Sequence, residues 1–335
     1  MEFQLSIIRD LIYGAASHGA NFHQLCRKAG VTPQELSDAE RMVHWEYSPY
    51  LWDHIVEMTG DELIGLHIGQ ESRPTGYGMI GYLLQSCSNF GEVMQAVCSF
   101  NDTFSTVLRY SLEYEGDLVY LFMEPMPLWW SKYPSSAQQA ADIGKSSALR
   151  TFQILTGKPA PVVKALFTCG KKHVTEYQRV LQCELVFNAP RDGIAFHRSV
   201  LDVPVTSHDQ SLFALFNSML TEKQKKLSAR KTFSEELRLA LLTDFKGQTP
   251  PVDVAASHLG MNTRTFQRRL AEENSSYRAI CSSLRKELAL ALMESDNKNV
   301  NEIAVLLGYA DHTSFRRAFK NWTGLLPKAA KEKIK

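Results

Sequence analysis

The chain has 335 residues, 44% of them hydrophobic and 22% charged, an ordinary globular composition spread over more length than one hydrophobic core usually serves. Its formal charge of +1 hides an asymmetry: residues 1–221 carry 16 Lys+Arg against 23 Asp+Glu, and residues 222–335 carry 21 against 13, which leaves −7 and +8. The basic part points to a polyanion partner, because phosphate neutralisation supplies most non-specific affinity for DNA, and the acidic part is excluded from that role. The six scattered cysteines contain no Cys-x-x-Cys pair and exclude a disulfide scaffold. No apolar run approaches the ~20 residues of a membrane span, and the first twenty residues read as an amphipathic helix, so a cytoplasmic protein is expected.

In chain order, residues 3–30, 49–68 and 77–100 read as helices, with Leu5, Ile8, Leu11 and Ile12 on one face and Leu83, Leu84, Val93 and Val97 on another. From Thr106 the period becomes two. Segments 106–113 and 118–124 flank Glu115-Gly116-Asp117 as a hairpin, which Pro125 and Pro127 end. A helix over 135–155, a strand over 162–168, a helix over 173–181 and short strands over 184–188 and 193–196 complete an α+β domain with a small antiparallel sheet. Segment 209–227 reads as an amphipathic connecting helix with Leu212, Leu215, Phe216, Met219 and Leu220 on one side. Its end carries Lys223, Lys225 and Lys226, suited to a helix C-terminus.

The last hundred residues carry the repetition. Segment 253–259 packs Val254, Ala255 and Leu259, Gly260 turns the chain, and Asn262 caps a second helix over 263–273. Phe266 and Leu270 at i, i+4 form its buried side and leave Thr263, Arg264, Gln267 and Arg268 outside. Arg pairs bidentately with guanine and Gln with adenine in the major groove. The pattern recurs: 300–307 packs Ile303, Ala304, Leu306 and Leu307, Gly308 turns, and Asp311 caps 312–321, where Phe315 and Phe319 face inward. His312, Thr313, Arg316 and Arg317 face out, with Lys320 nearby for phosphate. Between the units, 277–293 carries the stripe Ile280, Leu284, Leu288 and Leu292 over about 25 Å. That connector suits two reading helices about 34 Å apart, one turn of the duplex.

The stretches LGMNTRTFQRRLAEE (259–273) and NEIAVLLGYADHTSFRRAFKNWTGLLP (301–327) resemble the two helix-turn-helix motifs of the AraC/XylS family of bacterial transcription regulators. The resemblance implies a double-stranded DNA operator and RNA polymerase as partners. It also implies base contacts from Arg264, Gln267 and Arg268 in one helix and from His312, Thr313, Arg316 and Arg317 in the other. One departure follows Trp322-Thr323-Gly324, where Leu325-Leu326-Pro327 replaces the family's Ser-Pro-aromatic run, so a different packing of the final helix is expected. TGYGMIGYLLQSCSNFGEVMQAV (75–97), FTCGKKHVTEYQRVLQCELVFNA (167–189) and LDVPVTSHD (201–209) resemble the ligand-binding domain of the branch that includes ornithine-utilisation and virulence regulators. This implies effector sensing and homodimerisation, with the effector unidentified.

Other features read as structural. Gly76, Gly78 and Gly81 spell the dinucleotide fingerprint, but no strand precedes them and no acidic residue follows at the needed distance, which leaves a helix-entry turn. Cys169 and His173 lack a second ligand pair, so no metal is expected, nor any cofactor or catalytic residue. Trp129, Trp130 and Tyr133 suit either an effector pocket or a covering layer on the sheet or a dimer interface. Arg268, Arg269, Arg316 and Arg317 have the bland alternative of solvated faces, which two matched occurrences oppose. The expected organisation is an effector-binding and dimerisation domain over 1–208, a linker helix over 209–230 and an all-α tandem helix-turn-helix domain over 231–335. The expected function is a transcription regulator controlled by a small molecule. The alternatives are a DNA-binding module fused to an alkyl-transfer enzyme, with Cys169 or Cys183 as acceptor, and a ligand-independent regulator controlled by a partner protein.

Overall fold

The computed structural model describes residues 2–38, 40–45, 47–230, 232–245, 247–294, 299–309 and 311–334; Lys231 and Lys335, the expected ends of the DNA-binding domain, lie outside them. The chain divides into two units, Met1–Pro125 with Ser135–Leu227, and Met126–Pro134 with Ser228–Lys335. Among the described residues no helix is long and apolar enough to cross a membrane.

The first unit opens with β1 (Glu2–Gln4), α1 (Leu5–Ser17), α2 (Phe22–Lys28), β2 (Met42–His44), α3 (Tyr47–Thr59), α4 (Ile64–Glu71), α5 (Met79–Ser86) and α6 (Phe90–Ser99). Each of the three long helices expected from the apolar period is therefore broken in two. Short polar side chains do the breaking by taking backbone amides: Asn21 accepts from Gln24, Asp61 from Leu63 and Asn89 from Glu92. The strand β1, buried at Phe3, pairs antiparallel with β2, and neither strand was legible in the period. At the glycine-rich motif, Gly78 (φ 71°) enters α5, and a Cβ on Gly81 would lie 1.7 Å from the Pro74 carbonyl oxygen. Close backbone approach accounts for Gly81.

The hairpin β3 (Leu108–Glu115) and β4 (Leu118–Pro125) forms in the expected place, Glu115 opposite Leu118. After it come α7 (Pro127–Lys132), which belongs to the second unit, then α8 (Pro134–Thr156), β5 (Val162–Phe167), α9 (Val174–Leu181), β6 (Glu184–Phe187) and β7 (Gly193–His197). The sheet order is β3-β4-β7-β5-β6, antiparallel except at the edge, where β6 runs parallel to β5 after the α9 crossover. One sheet face carries Val119, Leu121, Met123, Phe167, Ile194 and Phe196 into the core. There Phe90 of α6 packs edge-on against Phe152 of α8, with centroids 4.7 Å apart.

Inside this core lies an ionic cluster. Lys145 of α8 is fully buried and donates to Asp142 at 3.2 Å and Asp192 at 2.7 Å. The Tyr177 hydroxyl donates to Asp142 and the Thr168 hydroxyl to Asp192, both at 2.6 Å. Burial pushes the Asp142 carboxyl up, whereas the two carboxylates hold the Lys145 amine charged against its own desolvation.

The helix α10 (Gln210–Arg230) closes this unit. Phe213, Phe216 and Leu220 meet the core, and Phe216 stacks on Tyr82 at 5.6 Å. Leu212, Leu215 and Met219 remain 46%, 52% and 42% exposed. The apolar residues expected on one side thus occupy two faces, because 213, 216 and 220 form one helical row and 212, 215 and 219 another. The Lys223 amine is paired with Glu40 at 2.5 Å.

The second unit comprises α7, α11 (Phe233–Thr243), α12 (Val252–His258), α13 (Thr263–Glu272), α14 (Tyr277–Glu294), α15 (Val300–Leu306), α16 (His312–Thr323) and α17 (Pro327–Ile334). Helix α14 is its axis and packs against α7, α11, α15, α16 and α17. Pro327 and Ala330 of α17 are buried, while Leu325 and Leu326, where the sequence departs from the family pattern, stay exposed.

Candidate nucleic-acid interface

The two turns that present the reading helices are built alike. Gly260 and Gly308 have φ of 68° and 75°, which side chains rarely adopt, and each closes the preceding helix. In the first, the Met261 amide donates to the Ala256 carbonyl; in the second, the Tyr309 amide donates to that of Ala304. The next helix then starts on a capping side chain. Asn262 accepts from the Thr265 amide at 2.9 Å and Asp311 from the Ser314 amide at 2.8 Å. Those bonds hold the Asp311 carboxyl below the usual carboxylate range.

Inward faces are aromatic. Phe266 and Leu270 of α13 are fully buried, with Phe266 edge-on to Phe233 of α11 at 5.4 Å and to Tyr277 of α14 at 5.7 Å. Phe315 and Phe319 of α16 are equally buried, against Tyr309 and Trp322, and the Trp322 indole donates to Ser282 at 2.8 Å. Two expected core residues are instead outside: Val254 is 45% and Leu306 44% exposed. Ala255 and Ala256 pack in α12, and Ile303 and Ala304 in α15, because a seven-residue helix turns only one narrow face to its neighbour.

With those faces fixed, Arg264, Gln267 and Arg268 of α13 are exposed and Thr263 is half-buried. On α16, His312, Thr313, Arg316, Arg317 and Lys320 are all exposed. Arg268 approaches Glu272 at 3.6 Å, a loose surface pair that a phosphate or base can displace. Arg269 is different: its guanidinium lies 4.3 Å from the Phe233 ring centroid, so it serves the core.

The connector contributes more than length. A cleft within the second unit is lined by Arg278, Ser282 and Arg285 of α14 and by Tyr309, Asn321 and Trp322, and Arg285 sits over the Tyr309 ring at 5.1 Å. In the sequence α14 reads as a spacer, and its apolar stripe does not single out Arg278 and Arg285. Their separation of seven, two helical turns on one face, was the available signal.

Trp129, Trp130 and Tyr133 go elsewhere than a pocket in the first unit. Trp129 is buried and Trp130 half-buried in α7, which packs on α14 and α11, and Tyr133 follows with Lys132 over its ring at 5.4 Å. Among the described residues no group of three His, Cys, Asp or Glu is placed to hold a metal ion, and His173 pairs with Glu62 at 3.2 Å. Burial pushes the thiols of Cys169 and Cys183 up to about 11, opposite to the shift a nucleophilic cysteine needs.

Residues 19–205 match the family model of the arabinose-binding domain of AraC transcription regulator, and residues 255–333 match that of a helix-turn-helix domain. The chain is 25% identical over 322 residues to the ornithine utilization regulator of Pseudomonas aeruginosa, covering 95% of this chain and 92% of that one. It is 25% identical over 283 residues to the HTH-type transcriptional regulator VqsM of the same organism, covering 83% and 86%. Among solved structures, the transcriptional regulator CdpR from Pseudomonas aeruginosa aligns with 92% of this chain and 96% of its own, at 23% identity and a TM-score of 0.45.

Proposed function

This chain belongs to the AraC family of DNA-binding transcription regulators, and from that premise we propose that a small molecule bound within residues 1–208 controls operator binding by residues 231–335. In this reading α13 and α16 enter successive major grooves, with base contacts from Arg264, Gln267, Arg268, His312, Thr313, Arg316 and Arg317. Thr263, Lys320, Arg278 and Arg285 hold the phosphates, and the bound regulator acts on RNA polymerase. The carrying observation is the pair of matched capped helices, each anchored by a buried aromatic and each exposing a cation at the equivalent position, Arg268 on one and Arg317 on the other.

Effector control has its own support in chain topology. Residues Met126–Pro134 belong to the second unit, although β4 before them and α8 after them belong to the first. The backbone therefore joins the units at this segment as well as after Leu227. A shift of β4 or α8 on ligand binding acts directly on α7, which is packed against the connector α14. Homodimerisation is part of the same proposal: Leu212, Leu215 and Met219 form an exposed apolar row on α10 that a second copy can cover. Leu215→Glu should then lower the sedimentation mass to that of a monomer.

The DNA reading is tested on an operator selected from random duplexes with the full chain. Arg264→Ala and Arg316→Ala should each weaken binding by roughly 10- to 100-fold, about 1–3 kcal/mol, and relax preference at different half-sites. Unchanged affinity and footprint in both would refute the assigned faces.

A further inference from the structure

We propose that the effector is a small, uncharged, mostly apolar molecule with one hydroxyl or carbonyl group, bound in a cavity between the sheet of the first unit and helices α5, α6 and α8. The cavity holds about 70 Å³. At the ~10–15 Å³ that one water needs, this is room for about five to seven water-sized groups. Its walls include Ile80 and Leu84 of α5, Val93 and Met94 of α6, Leu121 of β4 and Ala148 of α8. The polar lining consists of hydroxyls from Tyr77, Tyr110, Ser147 and Thr151, and no charged side chain is among the described lining residues.

That lining selects by desolvation. An ammonium or carboxylate would leave water for walls that offer no counter-charge, a loss the contacts there cannot offset. A sugar would bring a ring of hydroxyls into a site where two of the four lining hydroxyls are already engaged: Tyr77 bonds to Ser147 and Ser72, and the Ser147 hydroxyl donates to the Gly144 carbonyl at 3.2 Å. Burial pushes the phenols of Tyr77 and Tyr110 up, so both stay neutral at physiological pH. A single hydroxyl or carbonyl can join this short chain, and the rest of the ligand must be hydrocarbon. The position also suits control, because Leu121 and Ala148 belong to β4 and α8, the elements that flank the α7 segment.

This inference rests on the effector reading above, so its test reads binding without DNA. The full chain is titrated with 4-fluorobutan-1-ol, followed by its fluorine resonance, and with n-pentanol, followed by thermal melting. Saturable broadening and a rise in melting temperature are expected, with no rise from L-arabinose or L-ornithine at equal concentration. Each methylene removed from n-pentanol should weaken binding about fourfold. Ala148→Phe, which fills the space, should abolish binding. Should that variant not fold, Ser147→Ala should weaken 4-fluorobutan-1-ol about fivefold while leaving 1-fluoropentane unchanged. Stabilisation by the sugar or the amino acid alone, or 4-fluorobutan-1-ol binding untouched by the substitutions, would overturn the proposal. Binding that follows the substitutions while operator affinity stays constant supports the site and removes the effector reading.

Discussion

In the first unit the buried amine of Lys145 is satisfied by Asp142 on its own helix and by Asp192, 47 residues further on. In the second unit the bonds that shape each reading helix span three residues, Asn262 to Thr265 and Asp311 to Ser314. A charge held between distant elements ties α8 to the start of β7, and through Tyr177 to α9, so damage there spreads across the domain. A cap acts on one helix end. The buried ions of the first unit are thus held by a long-range network, and the starts of α13 and α16 by short-range bonds.

The largest effect that would break this contrast is Lys145→Met. It leaves two buried carboxylates without their cation and should cost the first unit ~3–5 kcal/mol. Hydrogen exchange should show lost protection in α8, α9, β5 and β7 with α13 and α16 unchanged; equal loss in the reading helices would remove the distinction.

A smaller test compares the two turns. Alanine at either glycine pays for a left-handed backbone, ~1–2 kcal/mol. At Gly260 nothing lies within 4 Å of the added Cβ, so that cost is the whole effect. At Gly308 the Cβ meets Gln248 Oε1 at 3.1 Å, and Gln248 donates from Nε2 to the Leu306 carbonyl. Gly308→Ala should therefore lower the melting temperature more than Gly260→Ala, and the reverse order would show the turns to be inequivalent in another way.

The smallest expected effect is on pH. Hydrogen bonds from Ser314 lower the folded pKa of Asp311, so its stabilisation is complete above the unfolded value of ~3.9 and is lost as pH falls through the folded one. Asp311→Asn keeps an acceptor and should leave the start of α16 protected from exchange in acid, where the wild type frays. In the first unit Glu176, held down to about 2 chiefly by its bonds to Arg179, has the same sign and should loosen α9 between about pH 4 and pH 2. Helix α9 is also bound through Tyr177, so its loss should be shallower than that of α16.

Most of the exposed face proposed to meet DNA was legible as an outer face because its signals are local. A turn glycine, a capping Asn or Asp and two apolar residues four apart leave only one outer face, and the residues expected on it are exposed apart from the half-buried Thr263. The hairpin was legible for the same reason. Val254 and Leu306 were misplaced since short helices leave the period too few residues to fix a face. Helix α11 was missed although Thr232 and Glu235 form a capping box at its start, and α7 was missed because its Pro-Leu-Trp-Trp sequence has no period.

By itself the sequence determined that the basic end of the chain carries two helix-turn-helix units and which side chains they present, because helix caps, turns and 3.6-residue periodicity act over a few residues. Only the tertiary structure decided which apolar row of α10 meets the core, that Lys145 is sealed between two aspartates, that Met126–Pro134 joins the second unit, and that a hydroxyl-edged apolar cavity lies behind β4. Each of these depends on which surface a side chain meets after distant segments pack, and burial, unlike a cap, is settled by partners the local sequence does not contain.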